Sequence, residues 1–168
     1  MKHLPSLLTT LGTIALLVIP AHALPPPTSA ATATVQLTGW LHVDDLEMRD
    51  VTLVVAVNGS RRTAHISNSG RFDLELPAES AVLLRFEKPG HVPKEVTVDT
   101  RNVQDGGFSK QQRRHVKLAV IMEQERFMGG LAFAGPVGRI GFEPAGGCVA
   151  VEHTRRTEPA KRREILEF

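Results

Sequence analysis

The sequence predicts an all-β protein, a seven-stranded antiparallel Greek-key β-sandwich with a C-terminal extension. Two observations carry that expectation. Between Val35 and Met122 apolar and polar residues alternate in short runs, about eight to twelve residues apart, the period of strands with one buried face. The runs are separated by Asn58-Gly59, Ser67-Asn68-Ser69-Gly70, Pro77-Ala78-Glu79-Ser80 and Lys88-Pro89-Gly90, each with the residue types that turns require.

The first strand places Val35, Leu37, Leu41 and Val43 on one face and leaves Trp40 on the other. In the second, Val51, Leu53, Val55 and Val57 alternate with Val54 and Ala56, so both faces are apolar and a central position is expected. Asn58-Gly59 suits a hairpin whose two turn residues need positive φ, and Ser60 to Ile66 is the returning strand. Phe72, Leu74 and Leu76 then face inward, with Arg71, Asp73 and Glu75 outward, where Asp73 is expected to tolerate replacement. Val82, Leu84 and Phe86 repeat the pattern, so Phe72 and Phe86 are both expected between the sheets. Val92, Val96 and Val98 form the sixth strand, which Pro93 assigns to a sheet edge. Val116, Leu118, Val120 and Met122 form the seventh after a polar loop from Arg101 to Arg114.

The flanks read differently. Met1-Lys2-His3, the apolar run from Leu4 to Ile19 and Ala21-His22-Ala23 predict a cleaved secretory signal over residues 1–23. The apolar run is shorter than the roughly 20 residues that span a bilayer, and no Cys follows it to accept a lipid. Residues 24–34 are a flexible leader rich in Pro, Ala and Thr, and residues 35–122 are the sandwich. Residues 123–168 are a Gly-rich, basic extension. Val137, Ile140 and Phe142 are its apolar anchors, Cys148 to Val151 a short strand, and Glu158 to Glu167 a short helix.

Composition excludes several functions. The single Cys148 can form neither an intramolecular disulfide nor a Cys-based zinc site. Twenty Lys and Arg against eighteen Asp and Glu leave +2, too little for a dedicated polyanion binder, and export removes nucleic acid as a partner. With no Tyr and one Trp, aromatic platforms for sugars are scarce. No His-x-His or His-x-x-x-His pair exists, and His42 with Asp44 and Asp45 reads as a solvated strand end, so no metal or cofactor is expected. Gly-x-Ser-x-Gly is absent, and Gly135, Gly138 and Gly141 have the wrong spacing for a dinucleotide site. Asn58-Gly59-Ser60 fits a glycosylation acceptor, but the hairpin explains it fully.

The stretch Ser69 to Pro77, with Gly70-Arg71-Phe72, followed by Leu84 to Lys94, with Lys88-Pro89-Gly90-His91, resembles the carboxypeptidase regulatory-like domain family. The likeness covers about Val35 to Met122. It implies a prealbumin-like sandwich that serves as a non-catalytic module in exported bacterial envelope proteins. His91 stands where that family has an aromatic residue, and Glu47-Met48-Arg49-Asp50 replaces its Gly-x-Pro segment. Pro136 to Phe142 is similar to a tail that follows such domains in some envelope proteins. Two enzyme classes of similar architecture do not fit. The Tyr-Arg-Gly-Ser ending of transthyretin-like hydrolases is replaced by Ile165-Leu166-Glu167-Phe168, and the Tyr iron ligands of intradiol dioxygenases are absent.

A non-enzymatic structural or protein-interaction role in the periplasm or cell envelope of a bacterium follows as the expected function. Its partner would be an envelope protein or an anionic envelope polymer. The candidate contacts are Trp40 and the basic residues Arg155, Arg156, Lys161, Arg162 and Arg163. The alternatives are a carbohydrate-binding module using Trp40 and a hydrolase with a site of unfamiliar form. The sandwich interior is expected to be filled by its own side chains, which leaves open sheet edges and the extension as docking surfaces.

Overall fold

The computed structural model describes residues 34–44, 47–103, 114–144 and 149–160. The expected signal, the expected leader apart from Thr34, Asp45, Cys148 and the basic residues Lys161, Arg162 and Arg163 lie outside them. The described strands are β1 (Thr34–His42), β2 (Thr52–Val57), β3 (Ser60–Ala64), β4 (Arg71–Pro77), β5 (Ala81–Glu87), β6 (Lys94–Asp99), β7 (Arg114–Ile121), β8 (Leu131–Phe133), β9 (Gly138–Phe142), β10 (Val149–His153) and β11 (Thr157–Pro159). A 3-10 turn spans Glu125–Phe127. No helix among the described residues is long and apolar enough to cross a membrane.

The strands form two facing sheets. One has the order β4-β1-β7, the other β10-β9-β6-β5-β2-β3, and β11 pairs separately with β8. Period-two alternation sends Val35, Leu37, Phe72, Leu74 and Val116 from the smaller sheet against Leu53, Val55, Leu84, Phe86 and Val98 from the larger. Phe72 and Phe86 are both buried, with ring centroids 5.5 Å apart across the sandwich, as their alternation predicts. The protein is an all-β sandwich.

Turn chemistry places the crossings. Asn58 and Gly59 take φ of 47° and 90°, the left-handed pair that closes the β2–β3 hairpin, and Val57 faces Ser60. Gly70 has φ of 79°, and a Cβ there would stand 2.2 Å from the Leu41 carbonyl oxygen. The chain therefore passes close to β1 as it moves from one sheet to the other. Thr100 is fully buried, yet its hydroxyl accepts from Ser80 N–H at 2.8 Å and donates to the Pro77 carbonyl at 2.8 Å. That bonding ties the end of β6 to the β4–β5 turn without an unsatisfied polar group.

Four expectations change. Among the described residues eleven strands replace seven, because the chain after Met122 contributes β8 to β11, and β9 sends Ile140 and Phe142 into the core. Two pairings are parallel, β1 with β7 and β6 with β9, so the sheets are mixed rather than antiparallel. The sixth strand is not an edge: β6 lies between β5 and β9, and Pro93 precedes its first residue, where it withholds no ladder N–H. Finally, Glu158 and Pro159, expected to open a helix, lie in β11 opposite Ala132 and Leu131.

Candidate functional site

Among the described residues the larger sheet has six strands and the smaller three, so its β9–β10 flank extends past the smaller sheet. Val151 lies opposite Ile140 and Val149 opposite Phe142, which puts all four on the inner face. Ile140 and Phe142 are buried, but Val149 and Val151 are 44% and 54% exposed. Beside this face runs β7, which among the described strands pairs only with β1. Between them lies a groove of about 410 Å³, with Val96, Ile140 and Val151 on its floor and Leu118 to Ile121 along its wall.

The backbone of β7 is half used. Met122 N–H donates to the His42 carbonyl at 2.9 Å, so that parity faces β1. Alternate residues point the other way, and the N–H and C=O groups of Lys117, Ala119 and Ile121 face the groove. The Ile121 carbonyl accepts a hydrogen bond from Lys94 Nζ.

Lys94 is the unusual residue of this site. It shares its parity with Val96 and Val98, and it is only 7% exposed. An uncompensated buried ammonium is costly, so its surroundings must supply partners. They do: Glu123 Oε2 lies 2.5 Å away, the Ile121 carbonyl accepts, and the Phe133 ring centroid is 5.2 Å from Nζ. Arg155 Nη2 reaches the other Glu123 oxygen at 2.7 Å. Two cations thus share one carboxylate at the end of the groove.

Of the basic residues expected to make contacts, Arg155 lines this groove and Arg156 is exposed just beyond it, its carbonyl bonded to Ala134 N–H at 2.8 Å. Trp40 is elsewhere. It is half-buried on the outer face of the smaller sheet, in register with Arg71 and Ala119. Next to it along that face, Thr38 Oγ1 donates to Asp73 Oδ1 at 2.6 Å and accepts from His115 Nε2 at 2.9 Å. The Thr38 hydroxyl, and then the Arg71 guanidinium, hold the Asp73 carboxyl below its ordinary range. Asp73 is therefore bonded on both sides, not the free surface carboxylate that alternation alone implies. His91 is buried, with Nδ1 3.2 Å from the Pro89 carbonyl. Among the described residues, no group of three His, Cys, Asp or Glu could hold a metal ion.

Lys94, Glu123 and the free edge of β7 were not among the sequence-derived site residues. The signal for Lys94 was present: it occupies a core-facing parity position in a strand otherwise inward-facing through Val96 and Val98.

On the outer face of the larger sheet, Asp99 pairs with Arg101 and, at 3.4 Å, with Arg139. The Arg101 hydrogen bond is the chief cause that brings its carboxyl from 3.8 to about 2, against a smaller opposing effect of burial. A depressed carboxylate stabilises the fold above its unfolded value and loses that contribution as pH falls through the folded one. Wild-type stability should therefore drop relative to Asp99→Asn between 3.8 and about 2. Since Arg101 is largely exposed, the difference should be about 1 kcal/mol, read from urea melts across that range. Parallel pH profiles for the two proteins would refute it.

No protein-family model matches the chain, and no curated protein is significantly similar to it. Among solved structures, it is similar to a chain in the crystal structure of a type II cohesin–X-dockerin complex from Acetivibrio cellulolyticus, an N-terminal interface mutant. Identity is 12% and the TM-score 0.34, over 52% of this chain and 56% of that one. The chain thus spans little more than half the length of that relative.

Proposed function

We propose that this protein is an exported, non-enzymatic interaction module of the bacterial envelope that takes up an extended segment of another protein as an added strand along β7. One observation carries the reading: the edge of β7 that no described strand pairs stands beside the exposed inner-face residues Val149 and Val151 of β10. An added strand would bond to the outward groups of Lys117 and Ala119, and its alternate side chains would cover Val149 and Val151. Stacked sheets pack about 10 Å apart, so a fourth strand of the smaller sheet would lie above this flank.

Ala119→Pro tests the mode of binding. It removes an N–H that faces the groove and leaves the β1–β7 ladder in place, a position where an edge strand tolerates proline. Peptides selected from a displayed random library on the full chain should carry alternating apolar residues and lose binding to Ala119→Pro, while its melting temperature stays near wild type. Equal binding by the variant would exclude strand addition.

The resemblance of Ser69 to Lys94 to the carboxypeptidase regulatory-like family supports a non-catalytic envelope role, and Ala21-His22-Ala23 supports export. Protein recovered from an envelope fraction should begin at Leu24 on N-terminal sequencing, and an intact Met1 in the membrane would contradict export by cleavage.

A further inference from the structure

We infer that the segment received along β7 is acidic on one side, an extended chain in which apolar residues alternate with Asp or Glu. This inference rests on the strand-addition reading above. A strand has period two, so its side chains divide between the two faces of the sheet it joins. Those facing inward meet Val96, Leu118, Ile140 and Val151, which are apolar. Those facing outward stand beside the outer-face positions of β7, where Lys117 is exposed.

The surroundings of the groove are cationic. Arg155 and Arg156 lie beyond β10 with exposed side chains, and Lys94 lies within the groove. The carboxylate lining the groove, Glu123, is already shared between Lys94 and Arg155. Glu152 lies opposite Arg139, on the other face of β10, and does not offset this charge. An acidic strand would therefore meet opposite charge beside β7 and near the groove end. Other occupants fit less well. A polyanion would engage the cations but leave Val149, Val151 and Ile121 uncovered. A second copy pairing edge to edge would set the cationic positions of one β7 against those of the other, and like charges opposite each other repel.

The probes are short capped peptides with Val at alternate positions and Glu, Gln or Lys between them, together with polyglutamate, each titrated into the full chain. The Glu peptide should bind on the order of tenfold more tightly than the Gln peptide at low salt, from a few cross-strand charge pairs. The Lys peptide should bind most weakly, and added salt should narrow the differences. Lys117→Glu with Arg156→Glu, both exposed, should reverse the order of the Glu and Lys peptides. If all three peptides bind equally and Ala119→Pro abolishes every one, the acidic preference is wrong and strand addition stands. If none binds, both readings fail. Polyglutamate binding as well as the Glu peptide would assign the groove to charge alone and overturn the proposal. So would a dimer that sediments as one species and dissociates on Ala119→Pro, because the occupant would then be a second copy.

Discussion

Glu123→Ala is expected to destabilise the protein by about 3 kcal/mol, far more than loss of a surface ion pair. The reason is what remains, since Lys94 is 7% exposed and would be left buried without its carboxylate partner. Arg155→Ala removes the outer partner of the same carboxylate, but its side chain is mostly solvated. That change should cost about 0.5 kcal/mol. Replacing both inner partners together, Lys94→Met with Glu123→Leu, should recover most of the loss, because an apolar pair of similar volume avoids the desolvation cost. Urea denaturation of the four proteins reads the comparison. A Glu123→Ala cost no larger than that of Arg155→Ala would show that Lys94 finds solvent or another partner.

Gly39→Ala should be the most damaging single methyl in the protein. Gly39 lies opposite Phe72 across the β1–β4 ladder, and the Phe72 ring sits directly over it. A Cβ at Gly39 would stand 2.0 Å from Phe72 Cζ, and the ring is 1% exposed with no free space to move into. Overpacking of this severity should cost about 3 kcal/mol or more, and Phe72→Ala should cost about 3–5 kcal/mol through the cavity it leaves. The two changes share one volume, so the double variant Gly39→Ala/Phe72→Ala should cost less than the sum of the singles. A strictly additive cycle in urea melts would mean that the ring is not seated on Gly39. An aromatic ring laid across a strand glycine is a known way of covering bare backbone in a sheet.

Much of this architecture is local and was therefore legible. Alternation along Arg71 to Leu76 assigns Phe72, Leu74 and Leu76 to the core without any knowledge of neighbours, and the burial follows it residue by residue. Asn58-Gly59 needs no tertiary help to form its turn, because positive φ is a property of those two residues. The weaker pattern after Met122 failed for the opposite reason. Gly138 to Phe142 is short and glycine-containing, and as a strand it is paired on both sides, parallel with β6 and antiparallel with β10. Local propensity carries no record of those partners.

The candidate site shows the same division more sharply. Sequence alone assigned Val96 and Val98 to one face of the sixth strand and Cys148 to Val151 to a short strand, and it marked Arg155 as a candidate contact. Only the tertiary structure brings Glu123 and Phe133 to Lys94, leaves one edge of β7 unpaired among the described strands, and sets that edge beside Val151. Trp40 lies in the same sheet as β7, in register with Ala119; its place on the outer face was readable, but its neighbour strand was not. Side-chain direction along a strand follows from backbone geometry within a few residues. The pairing of strands, and hence which edges and faces stay open, is decided by packing among segments far apart in the chain.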